Sequence, residues 1–184
     1  MPVTIVTLNS ICYLPCQKTN TKKMHQIIAK SPVFKGLQHD RIESLLERHA
    51  ARINHYRPGT MIFQAGEPCE GLIIVLEGTV IGEMVDLSGK TIKIENITAS
   101  FPIAISFVFG NERLFPVNVT ATSETVLLTI ARENLLGIFG EEVVVMENFL
   151  NLVSNRTQFL SRKIRLLSFR TIKGKLANYI LELA

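Results

Sequence analysis

The sequence predicts a mainly β plus α fold, a small barrel or sandwich of short strands with helices before it and one long helix after it. Three observations carry this reading. From Ala51 to about Ile130 the β-branched runs RINHY, TMIFQAG, GLIIVLEG, TVIGEMV, KTIKIENI, PVNVTAT and TVLLTIA alternate with turn signals at Pro58-Gly59, Gly66-Glu67-Pro68, Glu77-Gly78 and Ser88-Gly89. Strands of that length at that spacing make a sandwich or barrel. Ahead of them Ile27, Ile28, Val33, Phe34, Leu37, Ile42, Leu45 and Leu46 recur at helical spacing, and after Arg132 the texture is helical again.

The elements follow in order. Residues 1–23 differ from what comes next and read as an extension, either loosely ordered or upstream of a true start at Met24. Residues 24–140 form the barrel domain with its leading helices; breaks at Pro32 and Gly36 keep those helices short, and the clearest runs from about Gln38 to His49. Asn134 is expected to cap a short turn through Phe139, with Gly140 closing it. Residues 141–168 contain neither proline nor glycine and predict the long helix.

Along that helix Met146, Leu150, Val153, Thr157, Leu160, Ile164 and Leu167 alternate spacings of four and three, the pattern of a coiled-coil seam that needs a partner helix. A second stripe, Phe149, Leu152, Phe159 and Leu166, lies beside it and is expected to cover the barrel. The alternative is one broad apolar face packed wholly on its own barrel. Residues 169–184 begin another helix, capped by Thr171, with Ile172, Leu176, Ile180 and Leu183 on its apolar face. The chain stops in mid-pattern there.

Composition narrows the class. Hydrophobic residues make up 47% and charged ones 20% of 184 residues, an ordinary globular balance. No run of 18 or more apolar residues is present, so no membrane partner is expected. The three cysteines, Cys12, Cys16 and Cys69, make no disulfide scaffold, which fits a reduced cytoplasmic location. A net charge of +4 argues only weakly for an acidic partner. There is no P-loop, nucleophile elbow, HExxH or convergent acid pair, so catalysis is not expected.

Helices, then RPGTMIFQAGEPCEGLIIVLEGTV, then a heptad helix together resemble the cyclic-AMP receptor and FNR superfamily of bacterial transcription regulators. The resemblance runs from about Ser31 to Ala184 and rests most on the Pro58-Gly59 turn, the Gly66-Glu67-Pro68 turn and Leu76-Glu77-Gly78-Thr79-Val80. It implies a cyclic-nucleotide-binding-like jelly-roll barrel, a homodimer across the long helix, and TIKGKLANYILELA as the first helix of a truncated winged helix-turn-helix domain. DNA and RNA polymerase would then be partners only through the part of that domain this sequence lacks.

The resemblance also bears on the effector. Cyclic-nucleotide-binding members use a Glu for the ribose and an Arg with a Ser or Thr for the phosphate, in the segment matching FPIAISFVFGNERLFPVNVTA. Aligned without gaps from VTATSETVLLTI, Ile105 takes the place of the Glu, and Phe115 with Pro116 take the place of the Arg and Ser. These residues cannot make the charge-assisted bonds that a buried phosphate needs. Arg113 in GNERLF is nearby but reads as a solvated residue beside a turn tip at Gly110-Asn111. Cyclic AMP is therefore not the expected effector.

What remains is a pocket lined by Ile103, Ile105, Phe107, Phe115, Val117 and Val119, taken as alternating inward residues, with Leu160 and Ser161 on the helix wall. Open, it suits an apolar or aromatic effector or a gas-binding haem; filled, the barrel binds nothing and the chain is a plain dimerisation module. Haem ligands would come from His25, His49, His55, Cys69, Met84 or Met146, among which no pair has a diagnostic spacing. A haem-based nitric oxide or redox sensor of the same family is the alternative function. Three cysteines do not match a four-thiolate iron-sulfur site, so a cluster is not expected. Arg162, Lys163, Arg165, Arg170, Lys173 and Lys175 form a basic run at the hinge to the DNA reader, placed either to approach phosphates or simply to solvate a helix face.

Overall fold

The computed structural model describes residues 21–85, 89–168, 171, 173, 174 and 180. Cys12, Cys16, Arg170, Lys175, the side chain of His25 and most of the expected terminal helix lie outside the described residues.

Two antiparallel sheets of four strands each make a jelly-roll barrel. Strands β1 (Arg52–Tyr56), β3 (Gly71–Glu77), β6 (Pro102–Ile103) and β8 (Thr125–Ala131) form one sheet in the order β1-β8-β3-β6. Strands β2 (Met61–Phe63), β4 (Thr79–Val85), β5 (Thr91–Thr98) and β7 (Asn118–Ala121) form the other in the order β2-β7-β4-β5. The sheets differ in how they read in sequence. β3 is buried without interruption from Gly71 to Leu76 because α1 (Thr21–Lys30) and α3 (Arg132–Glu141) cover its outer face; a strand buried on both faces reads as a continuous apolar run. β5 is mostly exposed and alternates polar with apolar residues.

Gly78 makes the β3–β4 turn at φ +83, and a Cβ there would stand 2.2 Å from the carbonyl oxygen of Glu124. Only glycine fits that conformation in that space. Ahead of the barrel, α2 (His39–Arg48) buries Ile42, Leu45 and Leu46. Burying such a side chain contributes about 1.5–3 kcal/mol. That is enough to anchor a short helix whose other residues are mainly charged.

The segment after the barrel corrects the sequence reading at two points. α3 starts at Arg132 with Ala131 as its cap residue and no side-chain capping bond, so Asn134 is inside the helix and does not cap it. The long helix α4 is Val143–Ser168, and the boundary expected between 140 and 141 falls instead at Glu142, which breaks the helix in extended conformation. Past α4, Thr171 Oγ1 accepts a 3.1 Å hydrogen bond from the Gly174 amide, the geometry of a helix cap. No described helix is long and apolar enough to cross a membrane.

Candidate functional site

The loop Phe101–Ala121 is built by three local devices. Ile103 sits on β6 opposite Ile73 and is buried. Ala104 then adopts a left-handed conformation, φ 48, which turns the chain into a 3-10 turn over Ile105–Phe107. The Phe107 amide donates to the Ala104 carbonyl at 2.8 Å. Ile105 and Phe107 are thus half-buried on a tight turn, and the strand-like alternation expected of them is corrected.

Beyond the exposed tip at Gly110 and Asn111, the chain returns antiparallel to the β2–β3 turn. The Phe115 amide donates to the Glu67 carbonyl, and the Gly66 amide donates to the Phe115 carbonyl, each at 2.9 Å. This holds the Phe115 ring inward, buried and stacked on Phe63 with centroids 4.3 Å apart and planes 12° apart. Val119 is buried opposite Phe63, and half-buried Val117 comes close enough to Gly82 that a Cβ there would stand 3.2 Å from Val117 Cγ2. The structure therefore brings Ile103, Phe115 and Val119 into one core cluster, with Ile105 and Phe107 packed at its edge.

Donors near this wall are already engaged. The Gln64 amide donates to Glu67 Oε2 at 2.9 Å, and the Ala65 amide donates to Asn118 Oδ1 at 2.8 Å. Pro116 has no amide hydrogen to offer, and Arg113 is exposed. The side chain at position 115 is engaged in the aromatic stack with Phe63.

α4 divides the remaining site residues between two faces. Val145 and Phe149 are buried against the barrel, with Leu152 and Val153 packed on the same core. Phe149 meets Phe109 edge-on at 5.5 Å and Phe139 at 5.4 Å, an aromatic cluster that joins the loop to both helices. The opposite stripe is open: Leu150, Leu160, Ile164 and Leu167 are 55%, 48%, 68% and 71% exposed, Thr157 is exposed, and Met146 is half-buried. Leu160 and exposed Ser161 do not reach the cluster of Ile103, Phe115 and Val119 within one chain. Phe159, expected to cover the barrel, is 42% exposed, with Lys163 Nζ 5.1 Å from its ring centroid.

Arg162, Lys163, Arg165 and Lys173 are exposed. The described candidate haem ligands are spread along the fold. His55 is exposed on β1, and Met84 is exposed on β4 of the other sheet. Met146 lies on α4, and Cys69 is sealed in the core before β3, with burial pushing its thiol pKa up. His49 is committed elsewhere, with Nε2 2.8 Å from Glu141 Oε1. Among the described residues no group of three or more His, Cys, Asp or Glu could hold a metal ion.

Two contacts escaped sequence reasoning. Arg156 on α4 forms a bidentate pair with Glu95 on β5, at 3.0 and 2.7 Å, and α2 pairs with the α3–α4 junction. Both join residues about 60 or more positions apart, and nothing in local periodicity could have signalled them.

The comparisons with known proteins agree with this geometry. The family model for the cyclic nucleotide-binding domain matches residues 53–142, from β1 to the residue at the bend. A transcriptional regulator from Thermotoga maritima is similar at 31% identity and TM-score 0.64, over 69% of this chain and 97% of that one. The Thermus thermophilus catabolite activator protein is similar in fold at TM-score 0.67 and 23% identity, over 75% of this chain and 63% of that one. The sensor domain of the transcriptional regulator DNR from Pseudomonas aeruginosa gives TM-score 0.63 and 16% identity, over 80% and 94%. The search of curated proteins found no match. The chain belongs to the cyclic nucleotide-binding domain family, and its structural neighbours include transcriptional regulators of the CRP/FNR type.

Proposed function

We propose that this chain is the effector-sensing and dimerising part of a cytoplasmic transcription regulator of the CRP/FNR type, and that its effector is an apolar or aromatic small molecule rather than a cyclic nucleotide. The observation that carries the effector reading is the Phe63–Phe115 stack, with Phe115 buried and Phe63 half-buried; the ungapped sequence alignment sets Phe115 against the Arg of cyclic-nucleotide-binding relatives. A phosphate brought there would lose its water without gaining a charged donor.

The open stripe on α4 supports dimerisation. Apolar residues repeating every 3.5 positions suit a second copy of the same helix, and a two-fold axis there would match paired half-sites on DNA. Exposed Arg162, Lys163 and Arg165 near the end of α4 lie where phosphate contacts would add salt-dependent affinity. An effector at the junction of barrel and helix acts by binding one helix arrangement more tightly than another.

Titration calorimetry with cyclic AMP tests the effector reading. No saturable heat is expected. Binding tighter than about 100 μM would contradict it.

A further inference from the structure

The bend between α3 and α4 lacks the usual local causes. Glu142 is the single non-helical residue between Glu141 and Val143, at φ −134 and ψ 91, and there is no proline nearby. Sharp helix breaks usually trace to proline, to a Gly/Ser pair or to an inserted group. Gly137 and Gly140 are near, but both lie inside α3 ahead of the break, and Gly140 has open space around it.

What holds the bend is the N-terminal segment, which reaches it from two sides. From α2, Arg41 Nε donates to Glu142 Oε1, and Arg41 Nη2 lies 3.6 Å from Glu141 Oε2. Arg48 Nη1 donates to Glu141 Oε2, and His49 Nε2 stands 2.8 Å from Glu141 Oε1. From the turn before α2, the Val33 and Lys35 carbonyls accept bonds of 3.1 and 2.8 Å from Asn148 Nδ2, in the second turn of α4.

The His49 ring packs where a side chain on Gly137 would have to go: a Cβ there would be 2.5 Å from the ring's Cε1. A glycine inside α3 weakens that helix, and here it makes the notch that admits the imidazole.

We infer that residues 33–49 act as a clamp that fixes the α3–α4 bend and so sets the direction in which α4 leaves the barrel. Single half-exposed ion pairs contribute little, but here two adjacent carboxylates share two guanidinium groups and an imidazole from α2 and its C-terminal cap, and an amide bracket closes the other side. Displacement of α2 would then reach the open face of α4 by a route separate from the barrel pocket. The clamp is independent of the effector and of dimerisation.

Hydrogen exchange on the full chain tests this. The Val145 and Met146 amides donate to the Glu142 carbonyl, at 3.0 and 3.4 Å, and report opening of the bend. Arg41→Gln with Arg48→Gln, and separately Glu141→Gln with Glu142→Gln, weaken the clamp from opposite sides without touching the core. Both variants should exchange about five- to tenfold faster at Val145 and Met146, with the Ile74 and Leu128 amides of the barrel unchanged. Wild-type exchange at Val145 and Met146 in both variants would overturn the clamp. So would equal acceleration at the barrel amides, since the effect would then be a general loss of stability.

Discussion

The first and last thirds of α4 both carry apolar residues, but only the first buries some of them among the described residues. Near the bend, Val145 is fully buried and Phe149 is 4% exposed. Near the other end, Ile164 and Leu167 are more than two-thirds exposed. One helix thus buries one stripe at its root, while an open apolar stripe on its other face runs from Leu150 to the tip. Periodicity locates apolar stripes, but what covers each one depends on where the helix leaves the domain, and the bend at Glu142 decides that.

Substitutions in the two regions should therefore act on different equilibria. The largest effect on unfolding belongs to the root: Phe149→Ala removes a buried ring from the cluster with Phe109 and Phe139, and should destabilise the fold by about 3–5 kcal/mol in urea titration. A loss below 1 kcal/mol would mean that the root is not anchored as described.

At the open stripe, Leu150→Asp with Leu160→Asp should leave unfolding of the single chain within about 1 kcal/mol of wild type, since both positions are exposed. The same change should weaken self-association by roughly 100-fold or more, because it buries unpaired carboxylates in the seam. Concentration-dependent sedimentation separates the two effects.

The smallest effect concerns the bend. The His49 hydrogen bond, followed by the charges of Arg48 and Arg41, holds the Glu141 carboxyl below its ordinary range. The folded chain therefore gives up this proton more readily than the unfolded chain. The resulting stabilisation is complete above the ordinary carboxylate pKa and fades as pH falls through the lowered value. Urea midpoints measured between about pH 6 and 3 should fall less steeply in Glu141→Gln than in wild type. An unchanged slope would show that the pairing persists only weakly in solution.

Much of the fold was legible because its cues are local. Turn residues such as Gly78, the continuous run of β3 and the heptads of α4 each state their structure within a few positions. The loop Phe101–Ala121 was less legible. Phe115 and Val119 point inward as their spacing suggests, but left-handed Ala104 breaks the alternation and puts Ile105 and Phe107 on a turn. Alanine carries no sequence signal for that conformation. The ion pairs of Glu95 with Arg156 and of α2 with Glu141 and Glu142 were illegible, since each cation has several acids within reach until the fold selects one.

The most direct test of the account is sedimentation equilibrium of the wild-type chain alone, without added ligand or DNA. The open stripe predicts a dimer that becomes a monomer when Leu150 and Leu160 are both changed to Asp. A wild-type chain that stays monomeric at high concentration would contradict the reading of α4 as the surface that joins two copies.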